Sequence, residues 1–192
     1  MGRIVRPLVL AAALGLAASG CGYNRIQAKD EAVGKALGDI QAQLQRRADL
    51  IPNLVEVVKG VARQESTIFI SVAEARARLA GAAQSGNVGE MAAADAALKQ
   101  PLARLLALVE NYPELKSNQN FLDLQSQLEG TENRISVARQ DYNDVVRDYN
   151  TFIRTFPYNL TAKIFGGGTP KPYFEASPGS ATAPKVKFGP SP

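Results

Sequence analysis

The chain has 192 residues, with 22 Lys and Arg against 18 Asp and Glu, a formal charge of +4, one cysteine, and neither histidine nor tryptophan. So slight a positive excess, spread along the chain, argues against a nucleic-acid partner. Without histidine or a second thiol there is no Cys/His zinc site, no Ser-His-Asp or Cys-His nucleophile system, and no Glu-x-x-His pair for a di-iron centre.

The first element is an export signal. Arg3 and Arg6 precede an apolar run over 7–18, roughly a dozen residues and short of the ~20 that span a bilayer as a helix. The run ends in Ser19-Gly20-Cys21. Small residues before a cysteine let the segment lie extended in a signal peptidase while the thiol is exposed for thioether attachment to a diacylglyceryl group, so residues 1–20 are expected to be removed and Cys21 lipidated. Ala18 departs from that pattern, where such signals more often carry Leu. The competing readings are an ordinary cleaved signal that leaves a free thiol, and an uncleaved amino-terminal anchor. A lone cysteine in an exported protein has no internal disulfide partner, and lipidation accounts for it best. At about 0.8 kcal/mol per buried methylene, the acyl chains hold the protein on the membrane without a spanning helix. Gly22, rather than Asp, follows the cysteine, which points to the outer membrane in an organism that has two. Loss of Arg3 and Arg6 leaves a net charge of about +2.

From Asn24 to Phe156 apolar residues recur at spacings of three and four, the pattern of helices packed along a seam. The first helix carries Ile26, Val33, Leu37, Ile40 and Leu44; the second carries Leu54, Val57, Val61, Ile68, Val72, Ala75 and Leu79. Between them Asp49 and Pro52 suit the start of a new helix, so a turn or sharp kink is expected near Asp49 to Pro52. A loop follows over 84–89, then a third helix with Met91, Leu98, Leu102, Leu105 and Val109. Pro101 should kink that helix or delay its regular part to near Gln100. After a turn at 111–116, the fourth helix shows Phe121, Leu124, Leu128, Thr131, Ile135, Ala138, Tyr142, Val145, Tyr149, Phe152 and Phe156. This implies a helix of roughly 50 Å, capped by Ser117 or Asn118 and ended by Pro157. The expected fold is therefore all-α, an up-and-down bundle of long antiparallel helices, four in number, over 21–165. The Gly- and Pro-rich segment 166–192 reads as an inert extended or disordered tail, in which only Tyr173-Phe174-Glu175 offers a docking point.

Three stretches together resemble the LemA family: Tyr23-Asn24 with 43–54 (Gln43-Leu44-Gln45-Arg46-Arg47-Ala48-Asp49-Leu50-Ile51-Pro52-Asn53-Leu54); Glu110-Asn111-Tyr112-Pro113-Glu114-Leu115-Lys116 with Asn120-Phe121-Leu122; and Thr131-Glu132-Asn133-Arg134-Ile135 with Ala138-Arg139, Tyr142-Asn143, Tyr149-Asn150-Thr151 and Phe156-Pro157. Gln100-Pro101 and the Pro-rich tail depart from the family pattern. The resemblance implies a bundle of long helices held at a bacterial membrane by its amino terminus, and it implies no catalytic activity.

Several polar residues bear two readings. Tyr142-Asn143 and Tyr149-Asn150 recur at heptad spacing, so they form either a ligand or docking strip or, as the preferred reading, a core in which Tyr finds partners and Asn fixes register. Arg46, Arg47 and Asp49 with Glu132, Arg134 and Arg139 could bind an anion; the preferred reading is a layer of paired charges that sets topology. The commitment is to a non-enzymatic, lipid-anchored scaffold or adaptor whose partners are the membrane, through lipidated Cys21, and other envelope proteins. No cofactor, metal or catalytic residue is expected. The alternatives are a self-associating membrane organiser and an enzyme on envelope polymers using carboxylates such as Glu110, Asp123, Glu129 or Glu132, the last weakened by the lack of Trp platforms.

Overall fold

The computed structural model describes residues 2–62, 64–165 and 167–175, with the side chains of 2–21 outside the description. Its regular structure is entirely helical among the described residues: α1 (Gly2–Lys59), α2 (Ser66–Ser85), α3 (Val88–Val109), α4 (Pro113–Lys116), α5 (Gln119–Phe152) and α6 (Tyr158–Ile164).

Helix α1 buries Ile26, Val33, Ile40, Leu44, Ala48, Ile51, Leu54 and Val58 on one stripe. Of the turn or kink expected near Asp49 to Pro52, the turn is not found: the helix continues to Lys59, so Leu54 belongs to the first helix and not the second. Pro52 has no N–H to give to the Ala48 carbonyl one turn back, and inside a helix that loss ordinarily costs about 3 kcal/mol. Arg76 of α2 supplies the missing donor, its Nε lying 3.1 Å from the Ala48 oxygen. The same guanidinium reaches Asp49 at 3.7 Å. The break falls instead at Gly60, and Val61, expected in the seam, is 40% exposed.

The expected loop over 84–89 contracts to two residues between α2 and α3, which pack on each other. Gly86 takes a φ of 69°, a left-handed conformation that suits glycine. Asn87 then caps α3, its Oδ1 accepting the Glu90 N–H at 3.1 Å. Pro101 lies inside α3, whose regular part begins at Val88 and not near Gln100. The expected turn at 111–116 contains the short α4, with Leu115 buried.

Asn118 caps α5, its Oδ1 accepting the Phe121 N–H at 3.3 Å. The 34 residues of this helix correspond to about 51 Å. Its buried stripe runs through Phe121, Leu128, Thr131, Ile135, Ala138 and Tyr142, then continues through Val146 and Tyr149, with Ile153 buried just past its end. Val145 and Phe152, expected in the seam, are half-buried, because a 3.6-residue period drifts against a heptad. Pro157 does not end α5. The helix stops at Phe152, Phe156 is 74% exposed, and a cis Phe156–Pro157 bond leads into α6, which the periodicity did not announce.

The chain gathers into two compact units. The first contains α1 as far as Arg47 together with Leu128–Tyr173; the second contains Ala48–Gln127 and, beyond Tyr173, Phe174. Ile26, Val33, Ile40, Leu44, Ile135, Tyr142, Val146 and Tyr149 form the core of the first. In the second, Val72 and Leu79 of α2 and Met91, Leu98 and Leu105 of α3 are almost fully buried.

Candidate functional site

Beyond α6 the chain runs without regular secondary structure through residues 167–175, of which 167–173 belong to the first unit. Its part up to Tyr173 forms a strap fixed by backbone groups. The Tyr149 hydroxyl donates to the Gly167 carbonyl at 2.9 Å, and the Tyr142 hydroxyl to the Pro172 carbonyl at 2.9 Å. Asn150 clamps Lys171 from both sides: its Nδ2 donates to the Lys171 carbonyl at 2.9 Å and its Oδ1 accepts the Lys171 N–H at 2.8 Å. Lys171 Nζ pairs with Asp30 of α1 at 2.7 Å and lies 5.6 Å from the centre of the Tyr149 ring.

The heptad-spaced tyrosines and Asn150 are therefore buried core residues whose polar groups find partners, and those partners belong to a later segment of the same chain. The expectation of an inert tail is corrected over 167–173: a peptide can bury its backbone only where donors and acceptors meet it, and α5 presents them at Gly167, Lys171 and Pro172. Residues 176–192 of that tail lie outside the described residues. Burial pushes the Tyr142 phenol above its ordinary 10.0, and does the same at Tyr149, where the charge of Asp30 adds to the rise and Lys171 opposes it.

The expected charged layer is realised in part. Arg47 is buried and pairs with Glu132, tying α1 to α5 within the first unit. Asp49 pairs with Arg76 in the second unit instead. Arg46 is exposed, and Arg134 is also exposed, lining with Asp39, Gln43, Asn133 and Asp141 a cleft of about 300 Å³ where the Gln43 Oε1 is buried without a hydrogen-bond partner. Arg139 is half-buried. In the second unit, Lys59, Gly60, Phe69 and Ile70 line a cleft of about 590 Å³.

The four candidate carboxylates lie apart from these clefts. Glu110 pairs with Lys116 at 2.7 Å, Asp123 accepts from Gln119 at 2.8 Å, Glu129 is exposed, and Glu132 is held by Arg47. Among the described residues no three His, Cys, Asp or Glu side chains come together as a metal site.

Cys21 lies on α1, its side chain outside the description. The next residue is packed: a Cβ on Gly22 would meet Tyr158 Cδ1 at 3.1 Å and Thr161 Oγ1 at 3.3 Å. Tyr23 meets Phe165 with ring centres 5.4 Å apart, and Arg25 donates to the Tyr158 hydroxyl at 3.5 Å. Helix α6 is thus built against the residues that directly follow Cys21. Sequence reasoning missed α6 and the identity of the strap as the partner of the Tyr-Asn repeat. Among the described residues no helix is long and apolar enough to cross a membrane.

The model of the LemA family matches residues 36–188. Three relatives carry the name Magnetosome protein MamQ. MamQ 2 and MamQ 1 of Paramagnetospirillum magneticum (strain AMB-1) are each 27% identical over 183 residues, covering 83% of this chain and 67% of theirs. MamQ of Magnetospirillum gryphiswaldense is 25% identical over 167 residues, covering 75% of this chain and 61% of its own length.

Proposed function

This chain belongs to the LemA family, a membrane-associated family, and from that premise we propose that it is a bacterial envelope lipoprotein, anchored through acylated Cys21, that serves as a non-enzymatic scaffold or adaptor for other envelope proteins. One observation carries the reading: Cys21 ends an apolar run behind Ser19 and Gly20, and the residue after it is already packed under α6. An acyl group on Cys21 would sit one residue along the chain from this packed glycine. Anchoring confines the helical faces to a surface and raises their effective concentration toward neighbours.

The relatives named for the magnetosome support a role at a membrane. The test is mass spectrometry of the amino-terminal peptide, together with copurification from detergent-solubilised cells using a Cys21→Ser control. The expected result is an acylated Cys21 at the new amino terminus and specific partners that are lost or reduced with the control. A bare thiol sinks the anchor, and recovery of no specific partner by either form sinks the scaffold.

A further inference from the structure

The surface around α6 is apolar where a protein in water would place polar groups. Phe156 is 74% exposed, Leu160 52%, Ile164 75% and Phe165 55%, and the first three are spaced four apart. The opposite side of α6 is buried through Thr161 and Ala162, so these residues are a second face and not a frayed end of the core. The charges within this stretch are cationic, and Asp30, which lines a pocket with Phe165, is paired with Lys171 at 2.7 Å. Arg154 and Lys163 lie within this stretch and Arg25 sits beside it on α1, and no Asp or Glu occurs from 149 to 174 or before Asp30.

We propose that this face is a membrane-docking surface: Phe156, Leu160, Ile164 and Phe165 enter the interface of an anionic bilayer while Arg25, Arg154 and Lys163 meet its headgroups. The position on the chain selects that occupant. Phe165 of this face meets the ring of Tyr23 with centres 5.4 Å apart, so a bilayer reached through Cys21, or through the apolar run before it, is joined to the chain two residues before a residue that touches this face. Apolar side chains flanked by cations are the pattern of a segment lying in the interfacial plane. An acyl anchor alone leaves the body free to swivel; a second contact fixes which way it faces. The inference rests on the anchoring proposed above for where the bilayer lies, and its test separates the two.

Because the chain has no tryptophan, one introduced residue reports alone. The full chain is prepared from membranes as Leu160→Trp, Ile164→Trp or, for reference, Ile70→Trp, an exposed position in the other unit. Each is reconstituted into phosphatidylethanolamine–phosphatidylglycerol vesicles whose acyl chains carry bromine. The expected result is blue-shifted emission at 160 and 164, quenched several-fold more strongly than at 70. Equal quenching at all three positions, with Cys21 shown by mass spectrometry to be acylated, overturns the docking surface and leaves the anchor standing. Strong quenching at 160 and 164 with a bare Cys21 overturns the anchor and supports the surface. A blue shift without vesicles that grows with protein concentration assigns the face to a second copy of the chain and overturns the proposal.

Discussion

In the unit that contains α2 and α3, Asn87 closes the amide of Glu90 three residues away and one longer reach, Arg76 to Ala48, repairs a helix at a proline. In the unit that contains the strap, Tyr142, Tyr149 and Asn150 close backbone groups 18 to 30 residues away, and all the donors but one are side chains of α5. Both units satisfy polar backbone that would otherwise be stranded in an apolar setting. The unit with α2 and α3 does so mostly within a turn of chain, and the strap's unit across it. Local closure makes a helix end; distant closure makes a tertiary contact that depends on the whole unit being folded.

That difference is sharpest at Asn150, which serves both the N–H and the carbonyl of Lys171. Asn150→Leu should keep the volume and strand both groups, at about 1–3 kcal/mol each. A fall in thermal stability of the first unit and faster amide exchange at Lys171 are expected; an unchanged exchange rate would mean that the strap is held elsewhere. Next in size is Arg76→Met, expected to cost about 2 kcal/mol by leaving the Ala48 carbonyl open. The sharper measurement is a double-mutant cycle with Pro52→Ala, which restores the N–H. Arg76→Met should cost markedly less in that background, and equal costs would break the link between proline and arginine. Asn87→Ala should cost about 1 kcal/mol through loss of the α3 cap, read as a lower denaturation midpoint with an unchanged slope.

The smallest effect near neutrality, and the most selective between the units, is one of pH. Tyr142 and Tyr149 have phenols raised above 10.0 and donate to carbonyls, so they stabilise the fold while protonated. That contribution is complete below pH 10 and is lost as the pH climbs through the raised values. Phenolate absorbance should therefore appear together with strap release in alkali. Release that begins well before any tyrosine ionises would contradict this.

The same contrast explains what could be read from the sequence. The α5 cap at Asn118 and the seams of α3 and most of α5 were legible, because each depends on residues within a turn or two of one another. The unbroken passage of α1 through Pro52 was not, since the compensating donor is Arg76, 28 residues from the carbonyl it serves. Composition classed the strap as a tail: Gly and Pro say that a segment cannot form a packed helix, and nothing about whether its backbone finds partners. Helix α6 was hidden for a related reason, its seven residues being too few to display a period. The charged residues were legible as pairs but not as these pairs, because Arg47 and Asp49 turn to different partners in different units.

Gly167 is among those composition cues, and its neighbourhood changes their meaning. A methyl group there would stand 2.8 Å from Cγ2 of Ile26, an atom fixed to a stiff, buried branch point. The absent side chain is thus a clearance dimension, a slot cut to the thickness of bare backbone. Mutational drift could lengthen or reword the chain downstream, yet even alanine at this spot would wedge the strap off its seat, so the plainest letter in the segment is the one with least freedom to vary.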